Sequence, residues 1–208
     1  MRGVDRKAET GYGPVMATVL LFHHAQGQTP GFLTFADDLR AAGHTIHAPD
    51  LYEGRTFSDL KDGVAHAEQV GFPEIIRRGS DAAKELPADI VYAGFSLGVL
   101  PAQALAQTRP GARGALLFHG CVSPSEFGTS WPEAVPLQIH TMDDDEWTEE
   151  DRAIAEALVE KIPTAELFLY PGSAHLFADP SSGDYNQEAA VLLKERTLAF
   201  LHRVGQTP

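Results

Sequence analysis

Short apolar runs alternate with amphipathic stretches along this chain, and the alternation predicts a parallel sheet with crossover helices. Residues 17–22 are an unbroken apolar and β-branched run, the pattern of a strand covered on both faces. Over 32–42, Phe32, Phe35, Ala36 and Leu39 fall at helical spacing, and Gly43 ends the helix. Residues 45–48 read as a short strand stopped by Pro49. Residues 58–70 and 73–86 read as two helices, the second with Pro73 in a permitted first turn. An apolar strand over 89–93 precedes a helix over 99–107. Strands over 114–119, 135–140 and 166–170 bring the total to six, with a helix over 149–161 between the last two. A helix over 187–203 closes the chain.

No repeat, low-complexity tract or long Pro/Gly/Ser linker divides the 208 residues, so one domain over 15–208 is expected, after a polar lead-in over 1–14. That lead-in lacks the apolar core of a secretory signal, and no segment reaches the apolar length of a membrane span. Cys121 is the only cysteine, which excludes an intrachain disulfide and fits a reducing, cytoplasmic setting. The net charge of −13 argues against nucleic acid and anionic membrane surfaces as partners. Its simplest consequence is solubility.

Candidate chemistry centres on Gly94-Phe95-Ser96-Leu97-Gly98, between a buried-type strand and a helix. A turn this tight needs glycines, raises the serine hydroxyl above the sheet, and points a helix N-terminus at it. The pentapeptide alone is weak evidence; its placement strengthens it. A serine nucleophile needs a base and an acid to orient that base. His175 lies just past the strand over 166–170, and Asp143, Asp144 and Asp145 follow the strand over 135–140. One of these aspartates suits the acid role. All would sit at the C-terminal ends of strands, where open α/β sheets bind ligands. Residues 120–136 form the longest stretch without periodicity, and Trp131 within it either shapes a binding site or covers the core edge.

Taken together, several segments resemble the dienelactone hydrolase family, a compact branch of the α/β-hydrolases. The carrying residues are 21–27 (Leu-Phe-His-His-Ala-Gln-Gly), 48–52 (Ala-Pro-Asp-Leu-Tyr), the 94–98 turn, Asp145-Glu146-Trp147, and 172–177 (Gly-Ser-Ala-His-Leu-Phe). The likeness implies a mostly parallel sheet of about six or seven strands, helices on both faces, and no lid domain. It carries the triad to Ser96, Asp145 and His175, selecting Asp145 by its spacing to Trp147, and places His24 at the pocket. Two departures stand out. The family's nucleophile is usually cysteine, activated through a carboxylate whose position is His24 here. One family arginine position is Asp179, and another falls near Arg55 after a one-residue shift. The acid at 179 argues against dienelactone itself as substrate.

The resulting expectation is a hydrolase cleaving a small carboxylic ester, lactone or thioester. Ser96 attacks, His175 takes the proton, Asp145 orients His175, and the backbone N–H groups of Ala25 and Leu97 hold the oxyanion. Arg55, His24 and Trp131 are the candidate substrate contacts. No cofactor or metal is expected, since the acidic run 143–146 matches no cation-loop signature and the glycines after the first strand form no dinucleotide fingerprint. The partner is a small ester or lactone, and the chain a monomer or homodimer. The competing readings are a non-catalytic binding protein of the same fold and an acyl transferase or peroxide-forming enzyme with the same triad. His23 is expected to turn inward and Cys121 to be a small buried apolar group; His119 and His140 end strands at one sheet edge, where either could approach the site, and are read as structural. His44, His47, His66 and His202 are expected to be partly exposed.

Overall fold

Each unbroken apolar run becomes a strand with cover on both sides. The computed structural model describes residues 16–206 other than residue 129, so the lead-in over 1–14 lies outside the described residues. The strands are β1 Thr18–Phe22, β2 Thr45–His47, β3 Val91–Phe95, β4 Gly114–Phe118, β5 Leu137–Met142 and β6 Ala165–Tyr170. They lie in the order β2-β1-β3-β4-β5-β6, with every neighbouring pair parallel. The helices are α1 Pro30–Ala41, α2 Leu60–Val70, α3 Phe72–Ala82, α4 Val99–Thr108, α5 Glu149–Lys161 and α6 Gln187–Gly205. None is long and apolar enough to cross a membrane.

Side chains alternate between two cores. Leu20, Tyr92, Leu117 and Ile139 face α2, α3, α4 and α5, whereas Val19, Leu21, Phe95 and Phe118 face α1 and α6. From β1 the chain runs out to β2 on one side and returns to β3 on the other. The crevice beyond the C-terminal ends of β1 and β3 is therefore the switch point of the sheet, the place such folds use for ligands.

Capping and pairing shift several boundaries. α1 begins at Pro30, ahead of its first large apolar residue, because the Thr29 hydroxyl accepts the Phe32 N–H at 3.2 Å. Asp59 caps α2 by accepting the N–H groups of Lys61 and Asp62. α3 stops at Ala82 rather than 86, followed by turns. β3 runs to Phe95 instead of ending at 93, because Gly94 still pairs with Phe22 and Phe95 with Phe118. β5 likewise extends to Met142, opposite Tyr170. Three segments beyond β1, β3 and β5 are thereby fixed in relation to one another.

A close backbone contact joins β1 to the start of α4. A Cβ added to Gly98 would lie 2.5 Å from the Phe22 carbonyl oxygen and 2.7 Å from that of His23. Both obstacles are backbone, so neither can swing away. Gly98→Ala is expected to cost about 2–3 kcal/mol in urea unfolding, in the range of overpacked interiors. A loss under about 0.5 kcal/mol would show that β1 and α4 can separate freely.

Candidate active site

Ser96 is the first residue after β3, with a φ of 47°, in the left-handed region that serine rarely occupies. The turn forces this conformation. A Cβ at Gly94 would lie 2.0 Å from the Gly98 carbonyl oxygen, so residues 94 and 98 touch backbone to backbone. Residues Ser96–Gly98 form a short 3-10 turn leading directly into α4, whose N-terminal dipole is directed at the serine.

His175 and Asp145 arrive on the loops after β6 and β5. Ser96 Oγ and His175 Nε2 are 2.8 Å apart, and His175 Nδ1 lies 2.7 Å from Asp145 Oδ2. Asp145 Oδ1 accepts the Trp147 N–H at 3.0 Å, fixing the carboxylate plane. Both Asp145 and His175 are buried. Asp143 and Asp144 are exposed and instead tie the two loops together: Asp143 Oδ1 accepts the Gly172 N–H, and the Asp144 N–H donates to the Gly172 carbonyl.

A second buried network backs the loop after β1. His24 Nε2 lies 2.8 Å from Asp179 Oδ2, which also accepts the Thr29 hydroxyl at 2.5 Å. Asp179 Oδ1 accepts the N–H and hydroxyl of Ser181 at 2.7 and 2.6 Å. Burial alone would raise the Asp179 carboxyl, but the hydrogen bonds from His24, Ser181 and Thr29 hold it well below the ordinary range. His24 is shifted the other way: burial lowers it, more than Asp179 restores. A neutral ring donating from Nε2 and accepting the Gln26 N–H at Nδ1 satisfies both nitrogens. His24 is therefore engaged inward rather than offered to solvent. His23 is also buried, with Nδ1 2.7 Å from the His24 carbonyl oxygen and Nε2 accepting the Leu51 N–H.

Beside Ser96 and His175 opens a cavity of about 110 Å³, with Leu100, His119, Cys121, Trp147 and Asp151 among its walls. Ala25 is buried in the loop after β1, and Leu97 follows Ser96 in the turn. Trp131 does not border this cavity; its indole N–H donates to the Val135 carbonyl at 2.8 Å and its ring packs in the core. Arg55 is exposed and lies outside the cavity wall. The aromatic residue at the cavity is Trp147, half-exposed, with its ring centroid 5.7 Å from that of His175. Its position two residues after the acid was the available signal. His119 could be placed only as the end of a strand at the site's sheet edge, and Asp151 carried no comparable mark. Thr148 occupies the cap position of α5 without a side-chain cap bond, and Asp151 accepts the Cys121 N–H. Among the described residues no group of three His, Cys, Asp or Glu side chains is placed to hold a metal ion.

Three of the remaining histidines, His44, His119 and His140, are interior. His44 is buried, not partly exposed, because its Nδ1 accepts the Ala17 N–H. His140 bonds Tyr170 and Gln138, and burial followed by the Arg196 charge lowers it to about 3. His119 is lowered well below its ordinary value, chiefly by burial, then by neighbouring histidines. Burial also pushes the Cys121 thiol up, with Asp151 adding to it, which keeps it in the neutral thiol form.

These shifts set the acid response. His24, His119 and His140 bind protons more readily unfolded than folded, so the folded state loses stability as pH falls below about 6.5. For His140 the loss continues towards its folded value of about 3. Each such group costs about 1.4 kcal/mol per pH unit within its window. Urea midpoints taken from pH 7.5 down to 5 should fall steadily; a flat or rising profile would mean that these imidazoles charge without penalty.

Among curated proteins nothing matches. Solved structures are similar in fold at low identity. A dienelactone hydrolase-like promiscuous phosphotriesterase from metagenomic libraries superposes with a TM-score of 0.71 at 16% identity, covering 94% of this chain and 89% of that one. A dienelactone hydrolase from Anabaena variabilis gives 0.63 at 18%, covering 90% and 86%. Esterase 2 of Thermogutta terrifontis gives 0.60 at 20%, covering 95% and 88%. The sheet order and helix placement are those of the α/β-hydrolase fold these enzymes share. The model of the dienelactone hydrolase family matches residues 8–205, nearly the whole length, and the chain belongs to that family.

Proposed function

We propose that this family member is a serine hydrolase that cleaves small carboxylic esters, lactones or thioesters through an acyl-enzyme. The observation that carries the reading is the continuous hydrogen-bonded chain Ser96–His175–Asp145, with contacts of 2.8 and 2.7 Å. In this reading Ser96 Oγ attacks the acyl carbon as its proton passes to His175 Nε2. Asp145, hydrogen-bonded at Nδ1, holds the tautomer that leaves Nε2 free to accept and stabilises the imidazolium. The oxyanion lies between the N–H groups of Ala25 and Leu97, on two loops that the Gly98 contact holds together. His175 then gives its proton to the leaving group, and activates water to release the acid.

A hydroxyl has no thiolate-like state near neutral pH, so serine here depends on the imidazole base. The position that carries an activating carboxylate in cysteine members holds His24, whose two nitrogens are already occupied. We assign His24 and Asp179 the task of holding the loop that bears Ala25, and give no substrate contact to Arg55 or Trp131. Esterase and phosphotriesterase chemistry named for the similar structures fits a serine nucleophile placed in this way.

Turnover of a short p-nitrophenyl ester series by the wild type, Ser96→Ala and His175→Ala tests the reading. Each substitution is expected to lower kcat/KM by at least about 10³-fold, as in other triads. Ser96→Ala retaining hydrolysis within about tenfold would exclude Ser96 as nucleophile.

A further inference from the structure

Asp151 and Trp147 give the cavity beside Ser96 a chemical preference. Asp151 is half-buried, borders the cavity, and among the described residues forms no ion pair. Its Oδ2 accepts the Cys121 N–H at 3.2 Å, and Gly120 makes room for it: a Cβ there would lie 2.9 Å from that oxygen. Among the described residues no lysine or arginine borders the cavity. The α5 dipole does not account for this carboxylate, since Glu149 and Glu150 occupy the same first turn from exposed positions. Burial raises the Asp151 carboxyl above its ordinary value, only partly countered by the Cys121 N–H and His175. The protein thus keeps a half-buried acid at an electrostatic cost, facing space beside the reacting groups.

The side of the site is also fixed. His175 must protonate the departing alcohol, so the leaving group lies towards the imidazole. The Trp147 ring stands beside that imidazole with its indole half-exposed. An aromatic face and an unpaired carboxylate around one small cavity form a receptor for a cation.

We infer that the preferred substrates are small esters whose alcohol portion carries a positive charge, a protonated or quaternary amine held by Asp151 and Trp147. This rests on the serine-hydrolase reading and deepens it. The ester bond breaks as proposed above, His175 protonates the alkoxide, and the cationic alcohol leaves from the cavity. Anionic alcohols are disfavoured there.

Three acetate esters test this at pH 8: acetylcholine, its neutral carbon isostere 3,3-dimethylbutyl acetate, and the anionic 2-acetoxyethanesulfonate. Wild-type kcat/KM is expected to favour the cation over the neutral ester by about tenfold, with the anion lowest. In Asp151→Asn, whose amide oxygen still accepts the Cys121 N–H, the cation-to-neutral ratio should fall to within about twofold of unity, whatever the absolute rate. Asp151→Glu, which keeps the charge, should retain most of the ratio. Turnover of the esters with no cation preference, or with a preference that survives Asp151→Asn, overturns the inference and leaves the hydrolase reading standing. No turnover of any of the three, together with failure of a fluorophosphonate to label Ser96, overturns both.

Discussion

The close approach of backbone at residues 94 and 98 is the constraint on which the rest of the site depends. With a Cβ added at Gly94 only 2.0 Å from the Gly98 oxygen, the chain can reverse from strand to helix within a few residues only if both positions lack side chains. That reversal drives Ser96 to a φ of 47°, lifts its hydroxyl off the sheet, and starts α4 underneath it. It also presses Gly98 onto the carbonyls of Phe22 and His23, which fixes where the loop after β1 can run. One steric condition therefore positions Ser96, the helix dipole and the loop bearing Ala25.

Around that turn, electrostatics divide labour between two carboxylates that arrive on neighbouring loops. Asp145 spends one oxygen on His175 and the other on the Trp147 N–H, leaving the imidazole oriented and its far nitrogen directed at Ser96. Asp179 has four donors on two oxygens and no capacity left for a ligand. The latter is a structural anion, and through His24 and Thr29 it joins the loop after β6 to the loop after β1. A charge that is fully hydrogen-bonded is tolerated inside because its donors replace the water it lost.

Much of this was legible in sequence, for reasons that differ by element. The four central strands could be read because strands buried on both faces are unbroken apolar runs; β2 and β6 are partly exposed edge strands, and Ser96, Asp145 and His175 follow β3, β5 and β6. Boundaries were harder. β3 and β5 extend two residues past their apolar signals since ladder pairing with Phe118 and Tyr170 is a tertiary property. Choosing Trp131 over Trp147 had the same origin: a long irregular segment suggests a site, but only packing shows that Val135 claims the Trp131 indole while Trp147 stands free beside His175. Arg55 carried a charge match by position and nothing in its sequence reveals that its side chain points to solvent. His44 looked like a surface residue because its role, accepting the Ala17 N–H, joins positions 27 residues apart.

Local costs are concentrated where the chemistry is proposed. His119, directly after β4, has a φ of 63°, and neither ring nitrogen has a hydrogen-bond partner among the described residues. Burying an imidazole in this way costs on the order of 1–3 kcal/mol for the unmet group, besides the backbone strain. Ser96 after β3 is strained in the same sense, and Asp151 is an acid held without a cation. All three border one cavity at the C-terminal ends of adjacent strands. Among the described residues the other non-glycine residue with positive φ, Glu53, sits in an exposed loop with its carboxylate 3.2 Å from the Arg78 guanidinium. A fold optimised only for stability would place apolar groups at 119 and 151. Retaining polar groups there, against their desolvation, is what distinguishes a surface prepared for a ligand from the rest of the core.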